Sequence, residues 1–203
     1  MARVILWRHG QTDYNAAFKI QGQIDIPLNE TGKAQAAEAA SKLAEYQPTH
    51  IVSSDLSRAQ DTAGALAALT GLEVPVDVRL QERAYGPWEG LTGDEIRDGW
   101  PREYEAWRNG KEPGSGVESR LDSALRVTEA ITGKIDEISA QTPDYTLVVV
   151  GHGGALSNAV MYMLGSDPSK VQPISGMDNC HWAILTPQPN RNPRWTLRGY
   201  NLS

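Results

Sequence analysis

Two short apolar runs, each closed by a glycine-flanked histidine, constrain this chain more than any other feature. Val4-Ile5-Leu6-Trp7 leads directly into Arg8-His9-Gly10, and Thr146-Leu147-Val148-Val149-Val150 leads into Gly151-His152-Gly153-Gly154. Continuous apolar, β-branched runs of this length read as strands buried on both faces. The glycines mark the loops that follow and let the backbone approach a ligand closely. Helical spacing fills the interval between the runs. Thr31-Gly32-Lys33-Ala34 opens an alanine-rich stretch to Tyr46, with Ala36, Ala40 and Leu43 on one face. Ser57 to Thr70 places Ala59, Thr62, Ala63, Leu66 and Leu69 on one side, and Gly71 is its stop. The longest helical pattern runs from Val117 to about Gln141 through Leu121, Ala124, Leu125, Thr128, Ile131, Ile135 and Ile138, with Gly133 a local weak point. A further helix reaches Leu164. His50 to Ser53, Val74 to Val78, Cys180 to Leu185 and Trp195 to Leu197 are the remaining strand candidates.

This alternation predicts an α/β fold: a three-layer α/β/α arrangement, with a mostly parallel central sheet and helices on both faces. The 203 residues fit one domain over 1–203. Within it, 79–116 is rich in Gly, Pro, Trp and charge. It carries short helical pieces near Glu95 and Tyr104, and reads as a small lid-like excursion from the sheet.

Composition narrows the partners. A net charge of −6 repels nucleic acid and anionic lipid, so an anionic ligand must be met by local positive charge inside a cleft. The one cysteine, Cys180, can build neither a disulfide framework nor a CxxC zinc site, and reads as a small buried hydrophobe in a reducing compartment. The N-terminal apolar run is too short for a signal-peptide core or a membrane span. These features lead to the expectation of a cytoplasmic protein with no membrane or nucleic-acid partner.

In open α/β sheets, sites form where strands end and the next loops begin. His9 and His152 stand at two such ends. Arg8 adjoins the first, and Arg58 lies just beyond His50–Ser53 in the first turn of a helix, where anions are already favoured. A planar guanidinium fork matches phosphate oxygens two at a time, so Arg8 and Arg58 read as a phosphate clamp. Other chemistries lack their patterns. His9, His50, His152 and His181 show no HxH or HExxH spacing for a metal, and no GxxxxGK[ST] or GxSxG segment exists. Gly151-x-Gly153 does not extend to a dinucleotide fingerprint, because Leu156 stands where the last glycine belongs. The expectation is phosphate-ester chemistry through histidine, with no metal and no cofactor.

Five ordered blocks then resemble the histidine phosphatase superfamily, in its phosphoglycerate-mutase-like branch. They are Leu6-Trp7-Arg8-His9-Gly10-Gln11-Thr12 with Asn15, Gln21 to Gly32, Ser53 to Ala63, Leu80 to Gly90, and Val150 to Gly154. The resemblance implies that His9 is the nucleophile and that Arg8, Arg58 and His152 hold the phosphoryl oxygens. It implies that Glu82 is the proton donor to the leaving alcohol and later the base for water. It also implies that Asn15, Gln21, Gly22 and Gly153 line the phosphate pocket. Glu89 is the competing carboxylate, and its place in Trp88-Glu89-Gly90 is usually structural in this family. A neutral imidazole must attack, and neighbouring arginines disfavour its protonation. Family mutases shield the phosphohistidine with extra segments after the acid. The modest segment between Glu82 and His152 therefore favours a phosphatase of small acidic phosphorylated metabolites. Asp13-Tyr14-Asn15, Gln21-Gly22-Gln23, Gly90-Leu91-Thr92 and Gly176-Met177-Asp178-Asn179 most resemble the subgroup acting on glucosyl-3-phosphoglycerate. In that comparison Leu197 falls at the edge of the substrate site. A mutase, a broad-specificity or α-ribazole phosphatase, or a non-catalytic phospho-ligand module are the alternatives, and a homodimer is left open.

Overall fold

The computed structural model describes residues 2–114 and 116–203. Five strands form one sheet in the order β2-β3-β1-β4-β5. They are β1 (Arg3–Arg8), β2 (His50–Ser53), β3 (Thr146–Gly151), β4 (Trp182–Pro187) and β5 (Trp195–Leu202). β3 runs parallel to both β1 and β2, whereas β4 is antiparallel to β1 and β5 to β4. The centre is parallel, as the sequence predicts, and the two late strands make an antiparallel edge.

Side chains alternate across a strand, so β1 feeds two cores. Val4 and Leu6 pack on one face with α6 (Arg120–Ser139) and α7 (Gly153–Met163); Ile5 and Trp7 pack on the other with α2 (Glu30–Ala44) and α3 (Ser57–Thr70). These are the helices on both faces that the alternation implies. Each begins or ends where its residues dictate. Asn29 accepts the Gly32 N–H at the start of α2, Ser119 accepts the Asp122 N–H at the start of α6, and Gly71 closes α3 in the left-handed conformation. Gly133 does not interrupt α6.

Two expectations need correction, and one element was not anticipated. Val74 to Val78 is not a strand. It makes an isolated parallel bridge, Ser53 to Val76, and then enters a 3-10 turn at Val78–Leu80. Pro75 supplies only a carbonyl there, and it is used by the Ser53 N–H. Leu69 is 56 % exposed rather than in the core, and the buried face of α3 ends at Leu66. A one-turn helix, α1 (Asp13–Ala16), follows the first histidine; Thr12 and Asn15 cap it reciprocally, a local signal that a search for apolar periodicity passes over. The 79–116 segment holds a second 3-10 turn (Gly86–Trp88), α4 (Gly93–Gly99) and α5 (Pro101–Arg108), packed through buried Trp88 and Ile96 and an edge-on Trp88–Trp107 contact.

Candidate active site

The register of the parallel strands builds the site. Arg8 stands opposite Gly151, so the residues that follow, His9 and His152, emerge side by side at one edge of the sheet. Their ring centroids are 5.1 Å apart, edge to face. The same register places Ser53 opposite Val150, and the chain beyond β2 delivers Ser54 and Arg58 to the same place.

His9 is 2 % exposed, and its Nδ1 lies 2.6 Å from the Gly10 carbonyl oxygen. A carbonyl only accepts, so Nδ1 carries the proton and Nε2 of the neutral ring holds the free lone pair. Burial, then the charges of Arg8 and Arg58, hold the His9 pKa well below the usual histidine range. The ring is therefore neutral at pH 7.

Arg58 is fully buried in the first turn of α3. Its Nη1 donates to the Ile24 carbonyl at 2.7 Å, its Nη2 to the Gly22 carbonyl at 2.8 Å and its Nε to His152 Nδ1 at 3.3 Å. Gly22 can present that carbonyl because it adopts φ +52°, and a side chain there would strike Glu89. Burial lowers Arg58 to about 10, which leaves it a cation at neutral pH. Arg8 donates to the Met177 carbonyl, and burial lowers it too.

The buried Arg58 and the half-buried Arg8, with Glu82 the one carboxylate among the described lining residues, make a cation-rich pocket. Desolvation of each charge costs several kcal/mol, which an entering anion offsets. The cavity is small, about 140 Å³, and Arg8, His9, Asn15, Gln21, Gly22, Arg58 and Glu82 all line it. Lys19, Ile20, Tyr85 and Trp107 complete the wall. Sequence reasoning missed these four. Lys19 sits between two residues it did identify, and its ammonium lies 5.5 Å from the centre of the Tyr14 ring; Trp107 reaches the site only through the packing of α5.

Glu82 comes to the N-terminus of α7. Its carboxylate accepts from the N–H groups of Gly154 at 3.0 Å, Ala155 at 2.8 Å and Arg83 at 2.7 Å, an arrangement that the positive end of a helix favours. Glu89 is held differently. It accepts from the backbone of Gln23 at 3.1 Å and Tyr85 at 2.9 Å and so ties two loops together. It does not line the cavity.

Three expected residues do not line the cavity. His152 is fully buried with both nitrogens engaged, Nδ1 by Arg58 and Nε2 by Ser54 Oγ at 3.0 Å; it backs the cavity without lining it. Gly153 lies behind Arg8, where a Cβ would stand 3.1 Å from Nε. Leu197 lies in β5 opposite Leu185 and packs on the α6–α7 core, away from the cavity. Cys180 is buried, and burial pushes its thiol up to about 12, so it offers no thiolate. Among the described residues, no group of three or more His, Cys, Asp or Glu could hold a metal ion.

A buried neutral imidazole between two guanidiniums, at the carboxyl ends of parallel strands, defines a protein that transfers a tetrahedral anion through histidine. Residues 4–203 match the model of the histidine phosphatase superfamily (branch 1), and the chain belongs to that superfamily. It is 39 % identical to the glucosyl-3-phosphoglycerate phosphatase of Mycobacterium tuberculosis (strain ATCC 25618 / H37Rv), with 99 % of this chain and 95 % of the relative covered. It is 38 % identical to the protein of that name from Mycolicibacterium vanbaalenii, again over 99 % and 95 %. The solved structure of a mycobacterial glucosyl-3-phosphoglycerate phosphatase with VO3 superposes with a TM-score of 0.89 at 39 % identity, covering both chains fully. These relatives are phosphatases, and phosphate-ester hydrolysis is the activity this membership carries. No helix among the described residues is long and apolar enough to cross a membrane.

Proposed function

We propose that this protein hydrolyses glucosyl-3-phosphoglycerate through a phosphohistidine on His9. The observation that carries the mechanism is the Nδ1–H···O=C bond from His9 to Gly10, which aims an unprotonated Nε2 into a cavity walled by Arg8 and Arg58.

Nε2 attacks phosphorus while the bond to the substrate oxygen breaks. The guanidinium forks of Arg8 and Arg58 bear the charge spread over the other phosphoryl oxygens. Glu82, at the cavity wall, acts in its protonated form and gives that proton to the departing alkoxide. Water then attacks phosphorus, gives one of its own protons to Glu82 as the bond from phosphorus to His9 Nε2 breaks, and inorganic phosphate leaves. Passing through the intermediate divides one displacement into two. Asn15, Gln21 and Gly22 shape the phosphate pocket. His152 acts through Arg58, whose Nε–H it accepts, and through its edge contact with His9, so it positions the clamp. The 79–116 segment belongs to the same domain as the sheet and forms the lid-like wall that carries Glu82, Tyr85 and Trp107. The substrate assignment is supported by the relatives' activity and by the full-length match to them. Enzyme quenched during turnover of labelled substrate is expected to carry acid-labile, base-stable phosphate on His9, and His9→Ala to fold but lose essentially all activity. Label on a serine or aspartate would refute the mechanism. Failure of glucosyl-3-phosphoglycerate to outcompete other phosphate monoesters in kcat/KM would refute the substrate.

A further inference from the structure

A second cavity, of about 270 Å³, adjoins the first, and Tyr85 and Trp107 are walls of both. Glu82 stands at the neck between them. It lines the first cavity, and the Gly154 N–H that holds its carboxylate belongs to a residue lining the second. A general acid must lie within hydrogen-bond reach of the scissile oxygen. Whatever that oxygen is attached to therefore continues past Glu82 into the second cavity.

The walls there state what they can bind. Arg83, Arg108 and Arg120 line the cavity and no carboxylate does; Arg83 and Arg120 share Glu112, at 2.7 and 3.3 Å, from outside it. Gln172 turns its amide oxygen toward the Arg120 guanidinium, which only donates. Asn158, on α7, differs from these. It lines the cavity, is only 5 % exposed, and its side-chain amide has no hydrogen-bond partner among the described residues. An amide that faces a cavity in this way has its hydrogen-bonding groups available to a ligand. An amide needs both an acceptor for its NH2 and a donor for its oxygen. A carboxylate can serve the first but not the second, whereas a hydroxyl serves both. Donor-rich arginines and the Trp107 ring beside such an amide suit a polyhydroxylated ring with one apolar face.

We propose that the second cavity seats the glycosyl end of the leaving alcohol, and that Asn158 is a specificity residue hydrogen-bonding sugar hydroxyls. This rests on the substrate reading above. The test compares the wild type with Asn158→Leu, a change of similar volume that removes the polar pair, on p-nitrophenyl phosphate, 3-phosphoglycerate and glucosyl-3-phosphoglycerate. Tm is followed to verify the fold. The ratio of kcat/KM for the glucosylated ester to that for p-nitrophenyl phosphate is expected to fall roughly five- to tenfold, mainly through KM, as for loss of an uncharged hydrogen bond. A wild type that prefers the glucosylated ester and a variant that keeps that preference within about twofold would overturn this inference alone, since one lost hydrogen bond already costs more. A wild type with no preference for the glucosylated ester over 3-phosphoglycerate would overturn the substrate reading, and this inference with it. Should Asn158→Leu not fold, Asn158→Ala, which only removes atoms, serves in the same comparison.

Discussion

At the scale of single residues, the roles of Glu82 and Glu89 separate through what holds each one. Glu82 faces the cavity from a helix N-terminus; Glu89 is spent on the backbone of Gln23 and Tyr85. Glu82→Gln is expected to cost roughly two to four powers of ten in kcat with an alkyl phosphate. It should cost much less with p-nitrophenyl phosphate, whose leaving group departs without a proton. Glu89→Gln should weaken the fold without any dependence on the leaving group. The reverse pattern would make Glu89 the donor, and an equal response from both would give the proton to another group. The candidate residues could be picked out in the sequence because their chemistry is local: an arginine beside a histidine at a strand end has few uses besides an anion. The surroundings of Leu197 and His152 were not legible, because burial and partner choice are set by packing. Nothing near Leu197 in sequence reveals that β5 turns it onto the core opposite Leu185.

At the scale of elements, α7 is the part that couples fold to chemistry, since its first-turn N–H groups hold Glu82. A methyl group on Gly154 would stand 2.8 Å from Glu82 Oε1, which is closer than the two can come. Gly154→Ala is therefore expected to displace the acid while leaving His9 and the arginines in place. Steady-state kinetics should show a partial copy of the Glu82→Gln signature, with alkyl phosphates slowed at least about tenfold more than p-nitrophenyl phosphate. A uniform loss across leaving groups would mean that the helix start supports the clamp instead. The parallel strands and long helices were legible because runs such as Val148 to Val150 and the repeat along α6 satisfy one period throughout. α1 and the 3-10 turns are fixed by capping and by proline, and these leave no period to read.

At the scale of the whole molecule, the buried histidines tie stability to pH. Burial is the largest cause depressing both His9 and His152, with Arg8 and Arg58 adding to it. In the unfolded chain each takes up a proton as pH falls through about 6.5, whereas the folded protein does not. The unfolded state then binds more protons, so stability rises with pH up to that value. These two side chains therefore stabilise the fold fully above about pH 6.5. Their contribution is lost as pH falls below it, at up to about 1.4 kcal/mol per pH unit for each. Urea denaturation between pH 5 and 8 should reveal this slope, and His9→Gln should reduce it. An unchanged slope in that variant would show that His9 is protonated in the fold. The sheet order also bears on how the molecule is made. In the described sheet β1 lies between β3 and β4, so the first strand synthesised waits for residues 146–151 before it has one neighbour and for residues 182–187 before it has both. On the ribosome, Val4-Ile5-Leu6-Trp7 is a bare, apolar edge for most of translation, the kind of segment that holding chaperones bind and that aggregates without them. No nascent fragment that lacks β3 can set His9 beside His152, because His9 is among the first of the candidate site's residues to emerge and must wait for a strand made more than a hundred residues later.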